Sequence, residues 1–538
     1  MLSIGNHELY VTDIAYETFR NFSKVYGDRY LTSNVQILNP DTSEYEYIGN
    51  THRYLKTDNG LRIMAFGVLY DFTGNSNVSK VIPAATMVNQ TWFQKALNDK
   101  SPVDLYLVIG HNPVRPTVSS STMDTVFNAI RAVRPDTPIQ MFGGHTHIRD
   151  FAVYDDKTTA LESGRYCETL GWLSMSGFNT TSKFKGVTNP KGVANPTQRA
   201  VKVNGSSTAT AALHTSTSPS NLRYSRRYLD WNRLTFEYHA AGSQIKAFDQ
   251  KKGLAVSKEI TATRKQLNLT SLYGCAPQTW CVSCAPFLSN GSIYSLLTEA
   301  LSAVVVNETR AAEPRIIILN TGSIRFDLTK GPFTYDDSFI VSPFDDAFQF
   351  IPDVPYNLAS QVLGILNNGS FFAKRSLETR DFGFYNPSLE ITDSCTDPDI
   401  AHDHGLQKRS LGKVIRRQNT GASPGYVTKD DFGTDGDDTM HSKIPSYSYP
   451  DYFAANGSFS SNTSTPTTVD LIFLDFIVGD VLEVLTSLGG SYTTADVGYY
   501  LGKTFTTNSY LPLYAQTAPT WQANVPNCPV GQGVGFAT

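Results

Sequence analysis

The sequence has no apolar run long enough to cross a bilayer. A membrane-spanning helix needs about 20 mainly apolar residues, and the most apolar long segment, Leu471 to Leu485, contains Asp475, Asp480 and Glu483. An excess of charge is also missing, because 45 Lys and Arg face 49 Asp and Glu and the net charge is −4. Surfaces that bind nucleic-acid polymers carry clustered basic residues. We therefore expect neither a transmembrane segment nor a nucleic-acid polymer as partner.

Cysteine is scarce, with six residues in 538. Cys281 and Cys284 form a single C-x-x-C, and a zinc ribbon would need a second such pair, so a local disulfide is expected there. Glycosylation acceptor sequences are more frequent than chance would give. The eleven Asn-x-Ser/Thr sequences begin at Asn21, Asn77, Asn89, Asn179, Asn204, Asn268, Asn290, Asn307, Asn368, Asn456 and Asn462. Both signs favour a glycoprotein that is secreted or delivered to a vacuole or lysosome.

The first residues do not resemble a natural start. Met1-Leu2-Ser3-Ile4 leads directly into Gly5-Asn6-His7-Glu8, and we expect these four residues to end a β-strand whose beginning is missing. A signal peptide would precede that point, so its absence from the sequence says nothing about the compartment.

A chain of this length is expected to form two domains. Residues 1–250 begin with alternating strands and helices and include a strand-like segment from Tyr224 to Glu237, whereas residues 251–271 are basic and indicate an interdomain linker or helix. Residues 272–538 form the second predicted domain. It contains a polar insertion at about 390–424, in which the dibasic pairs Lys408-Arg409 and Arg416-Arg417 are possible cleavage sites.

Polar, histidine-rich turns follow the predicted strands of the first domain. The strand from Asp104 to Ile109 leads into Gly110-His111, and the strand from Pro138 to Phe142 leads into Gly143-Gly144-His145-Thr146-His147. The carboxyl ends of such strands are where open α/β sheets place their sites. Together with Gly5-Asn6-His7-Glu8, these are three turns in which imidazole and amide groups follow an apolar strand.

The residue types in these turns suit a metal site. Imidazole nitrogens and amide oxygens bind divalent transition metals, and two ions about 3.5–4 Å apart can orient a phosphate and activate a water molecule. A single histidine after a strand is usually a structural loop residue. Three such turns in one domain favour a dinuclear metal site instead.

The three turns resemble the third, fourth and fifth sequence blocks of calcineurin-like metallophosphoesterases. The resemblance implies that Asn6, His111 and His145 bind one divalent metal ion, such as Zn²⁺ or Mn²⁺, and that His147 helps to bind a second. It also implies that His7 is the catalytic residue, which stabilises the transition state and assists the leaving alkoxide.

Two features depart from this family. The family has Asp-x-His and Gly-Asp blocks before the Gly-Asn-His-Glu block, and the present sequence begins after them. Because four of the seven family ligands remain, we expect weak metal binding and little activity from this stretch alone. Tyr10 occupies the position of an Asp that pairs with the catalytic histidine in many 5'-nucleotidases, and a tyrosine supplies no carboxylate.

The carboxyl half resembles the C-terminal domain of 5'-nucleotidases. Three segments carry the resemblance: Asn320-Thr321-Gly322-Ser323-Ile324-Arg325, Gly331 to Tyr335 with Pro343-Phe344, and Tyr426-Val427-Thr428 with Asp431-Phe432 and Gly436-Asp437-Asp438. It implies that Arg325 holds phosphate and Asn320 contacts the nucleoside. It also implies that Phe344 and Phe432 sandwich the base, and that Asp438 binds the ribose hydroxyls.

The chemistry of these residues suits a nucleotide. Arginine binds phosphate with two parallel hydrogen bonds, aromatic faces stack on bases, and a carboxylate accepts from vicinal hydroxyls. Two family glycines are replaced, by Ser323 and Asp437, and a further family arginine has no counterpart after Pro286.

The expected fold is an α/β metallophosphoesterase sandwich of the four-layer type, incomplete at its N-terminus, followed by an α+β 5'-nucleotidase C-terminal domain. The expected reaction of the full-length protein is hydrolysis of a nucleoside 5'-monophosphate by two divalent metal ions. Two alternatives stay open. One is a related phosphoesterase acting on nucleotide sugars or cyclic nucleotides, and the other is a non-catalytic nucleotide-binding protein.

Overall fold

A computed structural model describes residues 1–164, 167–178, 222–241, 247–368, 447–459 and 465–530. Within these residues the chain divides into two compact units, the first ending at Phe248 and the second beginning at Asp249. The predicted insertion at 390–424 lies outside the described residues. The residue limits proposed for the two domains stay predictions.

The first unit consists of thirteen strands and six helices among its described residues. Its strands are β1 (Leu2–Ser3), β2 (Tyr30–Leu31), β3 (Val35–Leu38), β4 (Tyr45–Tyr47), β5 (His52–Lys56), β6 (Arg62–Gly67), β7 (Ser79–Val81), β8 (Leu105–Ile109), β9 (Ile139–Phe142), β10 (Arg149–Asp155), β11 (Thr158–Ser163), β12 (Thr169–Ser176) and β13 (Arg223–Asp230). Its helices are α1 (Thr12–Glu17), α2 (Ser23–Tyr26), α3 (Ala84–Met87), α4 (Thr91–Asn98), α5 (Met123–Val133) and α6 (Arg233–Ala241), and a π-helical turn, Thr18–Phe22, joins α1 to α2.

A six-stranded sheet in the order β10-β11-β9-β8-β6-β5 organises the first unit. Strands β6, β8, β9 and β11 run parallel, and the two edge strands run antiparallel to their neighbours. Most residues of the parallel strands are buried, because helices such as α4 and α5 pack their apolar faces on the sheet. The carboxyl ends of the parallel strands therefore meet at one edge, where the polar turns begin.

Two glycines allow that edge to pack closely. A Cβ atom on Gly110 would overlap the carbonyl oxygen of Val68, and one on Gly143 would overlap the carbonyl oxygen of Asn112. Only glycine fits where one backbone approaches another so closely. The glycines of the Gly-His and Gly-Gly-His turns thus have a packing role that is separate from any chemistry.

The second unit contains seven strands and seven helices among its described residues. The strands are β14 (Leu272–Ala276), β15 (Arg315–Asn320), β16 (Gly331–Thr334), β17 (Phe348–Pro355), β18 (Tyr452–Gly457), β19 (Thr468–Leu474) and β20 (Gly498–Tyr499). The helices are α7 (Lys251–Gln266), α8 (Ile293–Val304), α9 (Tyr335–Val341), α10 (Tyr356–Leu366), α11 (Val478–Ser487), α12 (Tyr510–Thr517) and α13 (Pro519–Gln522).

A five-stranded sheet in the order β18-β15-β19-β17-β20 forms the centre of the second unit. Strands β15 and β19 run parallel at its middle, and every residue of β15 is buried. Helix α9 begins with a capping box, in which Thr334 and Asp337 exchange hydrogen bonds with each other's backbone. This cap gives Thr334, which belongs to one of the predicted substrate segments, a structural role.

Two disulfides cross-link the second unit. Cys281 is joined to Cys284, as predicted, and Cys275 is joined to Cys528 across a sequence separation of 253 residues. The second pairing closes a long loop, which restricts the unfolded chain. Cys167 is an exposed free cysteine.

One secondary-structure expectation was wrong. The strand-like segment from Tyr224 to Glu237 is a strand only as far as Asp230, and helix α6 begins at Arg233. The side chain of Asn232 accepts a hydrogen bond from the backbone N–H of Thr235 at 2.9 Å, which favours a helical first turn. The described residues contain no helix that is both long and apolar enough to cross a membrane.

An acidic cluster near the start of β17 generates a test of stability against pH. Burial, and then the nearby carboxylates of Asp475 and Asp345, raise the pKa of Asp346 to about 7. Burial also raises the pKa of Asp475. A carboxyl group whose pKa is higher in the folded state binds a proton more readily there, so the free energy of unfolding falls as pH rises from about 4 to about 7.

We therefore expect Asp346→Asn to stabilise the protein at pH 8 by on the order of 1–2 kcal/mol and to have little effect near pH 4. Thermal unfolding between pH 4 and pH 8 measures the difference. Asp451→Asn, at an exposed aspartate of the same unit, is the matched control. Parallel pH profiles for wild type and Asp346→Asn would contradict the assignment.

Candidate functional site

In the first polar turn, two consecutive residues have different exposure to solvent. Asn6 is buried, with 1% of its surface exposed, whereas His7 is exposed. The turn is closed by a hydrogen bond from the Leu9 N–H to the Asn6 carbonyl at 3.0 Å, and the Gly5 N–H donates to the Glu8 carboxylate at 2.8 Å. Glu8 therefore stabilises the turn itself, which explains a Glu after Gly-Asn-His without assigning it to the chemistry.

The Asn6 side chain has one satisfied end and one unsatisfied end. Its amide nitrogen donates to the Tyr10 hydroxyl at 2.8 Å, while its carbonyl oxygen is buried without a hydrogen-bond partner. A buried polar atom without a partner costs roughly 1–3 kcal/mol. Such an oxygen suits a bound cation.

His111 and His145 face each other directly. Nδ1 of His145 and Nε2 of His111 are 3.2 Å apart, and the His145 ring stacks on Tyr70 with ring centroids 4.2 Å apart. Two nitrogens bound to one tetrahedral Zn²⁺ at 2.0–2.1 Å lie roughly 3.3 Å apart. The observed separation is therefore compatible with a single shared ion.

The surroundings keep His111 neutral. Burial, and then the imidazoles of His145 and His7, lower the pKa of His111 to about 3. Its ring is flanked by two glycines, since Cβ atoms built on Gly5 and Gly144 would each lie 3.5 Å from a ring atom. All three turns therefore meet at His111, and a neutral imidazole is the form that binds metal ions.

The third turn has an unusual backbone. His145 and His147 have φ angles of 84° and 64°, in the left-handed region that few residues other than glycine adopt. Between them, the Thr146 N–H and hydroxyl both donate to Oε1 of Glu162, at 3.0 Å and 2.6 Å. Backbone strain of this kind persists only where the surroundings impose it, often at functional sites.

Glu162 is a residue that the sequence analysis missed. It lies in β11, is 1% exposed, and burial raises the pKa of its carboxyl to about 8 despite the Thr146 donors. The available signal was a lone carboxylate inside an otherwise uncharged strand, Thr158–Ser163. A carboxyl group that is buried within a strand normally has a specific hydrogen-bond donor or cation as its partner.

The structure brings together only part of the predicted metal set. Gly5 of the first turn packs on His111, His111 contacts His145, and His147 is half-buried two residues along the same turn as His145. Across the described ranges, no group of three or more His, Cys, Asp or Glu has the arrangement of a metal site. Asn6, His111 and His145 suit one ion, and the second ion, which His147 would help to bind, stays a prediction.

The candidate nucleotide residues of the second unit are partly described. Asn320 ends β15, is 7% exposed, and its side-chain oxygen is buried without a hydrogen-bond partner. The Arg325 guanidinium lies over the Phe344 ring, 4.8 Å from its centroid. The carbonyl of Phe344 accepts a hydrogen bond from the Thr507 hydroxyl, which anchors this segment. Phe432 and Asp438, together with the Tyr426 to Asp438 segment, lie outside the described residues.

Sequence comparisons agree with these two units. Residues 1–149 match the calcineurin-like phosphoesterase family, and residues 279–482 match the NAD nucleotidase C-terminal domain. A protein of Arthroderma benhamiae named "Secreted protein" is 52% identical over 98% of this chain and 79% of its own length. An uncharacterized protein of Schizosaccharomyces pombe is 36% identical over 93% of this chain and 74% of its own length.

A solved structure extends the likeness to the fold. The 5'-nucleotidase from Candida albicans has a TM-score of 0.71 and 30% sequence identity, over 96% of this chain and 83% of that one. The two units thus define a calcineurin-like phosphoesterase domain followed by a nucleotidase C-terminal domain. The chain belongs to the 5'-nucleotidase family of phosphoesterases, and its class is that of the hydrolases. The predicted family and the predicted order of a metallophosphoesterase domain and a 5'-nucleotidase C-terminal domain are confirmed, whereas the expected incompleteness at the N-terminus stays a prediction.

The close packing at the sheet edge generates a test of the glycines. Gly110→Ala should destabilise the protein by roughly 1–3 kcal/mol, because its Cβ must displace the Val68 backbone. Gly253→Ala is the control, since a Cβ at this exposed position of α7 meets nothing within 4 Å and should stabilise the helix by about 0.5–1 kcal/mol. Urea unfolding measures both. Equal stability of Gly110→Ala and wild type would refute the packing role.

Proposed function

We propose that this protein hydrolyses nucleoside 5'-monophosphates to nucleosides and phosphate with the help of two divalent metal ions. The observation that carries the metal part is the buried, unpartnered carbonyl oxygen of Asn6, in the turn that packs against the facing His111–His145 pair. These are uncharged donors of the type that binds divalent transition metals. Asn6, His111 and His145 would hold one ion, and His147 would help to hold the second.

The remaining roles are proposed from the family resemblance. Bound divalent ions would neutralise phosphate charge and lower the pKa of a water molecule. His7 is exposed beside the buried Asn6, where its imidazole can pass a proton to the departing alkoxide. Arg325 would hold phosphate, and Asn320 would contact the nucleoside. The base would stack on Phe344 and, by resemblance, on Phe432, with Asp438 binding ribose.

The contact between Arg325 and Phe344 supports the roles proposed for these two residues. The guanidinium lies over the ring, 4.8 Å from its centroid, which is a favourable cation–π contact. A guanidinium can bind a phosphate with two parallel hydrogen bonds, and an aromatic ring can stack on a base.

A second substrate class follows from the match of residues 279–482 to the NAD nucleotidase C-terminal domain. That match favours dinucleotides, which contain a pyrophosphate, as alternative substrates. Nucleotide sugars, cyclic nucleotides and a purely nucleotide-binding role stay open as well. Secretion is part of the proposal, supported by the two disulfides, the glycosylation sequences and the name of the Arthroderma relative.

Phosphate release from AMP in Mn²⁺ or Zn²⁺ tests the proposal. We expect activity that EDTA abolishes, and a loss of about 100-fold or more in His7→Ala. His111→Ala should lose both activity and metal. His52→Gln, at a histidine of β5 that stacks on Trp92, is the matched control and should keep its activity.

The assay includes an N-terminally extended form if the gene encodes Asp-x-His and Gly-Asp blocks upstream in frame. Parallel reactions with NAD, a nucleotide sugar and a cyclic nucleotide rank the substrate classes. AMP binding without metal-dependent release from any substrate, by either form, would exclude the enzyme and favour the binding protein.

A further inference from the structure

Tyr10 connects two of the residues that the proposed reaction needs. Its hydroxyl accepts a hydrogen bond from the Asn6 amide nitrogen at 2.8 Å. Its ring meets the His7 ring edge-on, with centroids 5.2 Å apart and planes at 85°. One side chain thus contacts both the candidate metal ligand and the candidate catalytic histidine.

The Tyr10 ring is itself held in position. It packs edge-on against Phe72, with centroids 5.3 Å apart, and it lies against the buried cluster that contains Leu9, Tyr70 and Phe72. Tyr70 in turn stacks on His145. The hydroxyl is therefore presented to Asn6 from a supported ring, not from a free surface side chain.

The two ends of the Asn6 amide have different requirements. If its oxygen binds a cation, its NH₂ group needs an acceptor on the other side. The Tyr10 hydroxyl is such an acceptor, and the oxygen opposite it is buried and has no hydrogen-bond partner. A phenylalanine at this position would keep the ring contacts but remove the acceptor, leaving the amide free to rotate.

We infer that Tyr10 is a positioning residue, whose hydroxyl holds the Asn6 amide with its oxygen directed to the metal ion. The inference rests on the proposed metal-dependent function. Residues that hydrogen-bond to a metal ligand and fix its orientation typically increase metal affinity 10–100-fold.

The test is the affinity for Mn²⁺ or Zn²⁺, measured by calorimetry or chelator competition without any substrate. Tyr10→Phe should weaken binding roughly tenfold. The matched control is Tyr154→Phe, which removes another 2.8 Å hydroxyl hydrogen bond of the same unit, donated to the Val114 carbonyl. Tyr154→Phe should keep the wild-type affinity.

A double-mutant cycle separates positioning from general damage. In an Asn6→Ala background the amide is gone, so adding Tyr10→Phe should change the affinity no further. Wild-type affinity in Tyr10→Phe, or an equal loss with and without Asn6, would overturn the inference while leaving the proposed metal site intact. A wild-type protein that binds neither metal would overturn both.

Discussion

The parallel backbone ladder that joins β6, β8, β9 and β11 determines where the candidate ligands of the first unit lie. It continues beyond the strands themselves, with Val68 donating to Ile109, Gly110 to Phe142 and Gly143 to Leu161 at 2.9–3.0 Å. These hydrogen bonds fix the position at which each turn leaves the sheet relative to the neighbouring turns. This alignment places the rings of His111 and His145 in contact although 34 residues separate them.

Burial then decides the chemical state of these groups. A charged imidazole is penalised away from water, and the pKa of His111 falls accordingly. The same burial encloses the Asn6 side-chain oxygen, which has no hydrogen-bond partner, and raises the pKa of Glu162. The strained His145–His147 turn is retained because Thr146 is held twice by that glutamate. Packing thus maintains neutral donors and an unfavourable backbone at the same place.

Sequence reasoning reached the features that depend on local pattern. Apolar runs predicted β8 and β9 to within one residue of their ends, and the glycine-histidine turns after them were recognised by composition. It did not reach Glu162, the contact between Tyr10 and Asn6, or the pairing of Cys275 with Cys528. Each of these depends on residues that tertiary packing brings together. A contact made by one hydroxyl, such as that of Tyr10, produces no periodic pattern in the sequence. The first residues of α6 were wrongly assigned to a strand because aromatic and β-branched residues continue past Asp230, where the strand ends.

The choice of amide and imidazole ligands, Asn6, His111 and His145, has a consequence for the proposed chemistry. Carboxylate ligands neutralise a divalent cation, whereas amide and imidazole ligands leave its charge in place. An ion held mainly by neutral donors attracts a phosphate dianion strongly, because charges interact more strongly where water is excluded. The cost is weaker binding of the ion itself, so the orientation of each neutral donor matters more. By this argument the Tyr10 hydroxyl, whose hydrogen bond to Asn6 has a modest energy in isolation, would strongly influence whether the proposed site binds a metal ion.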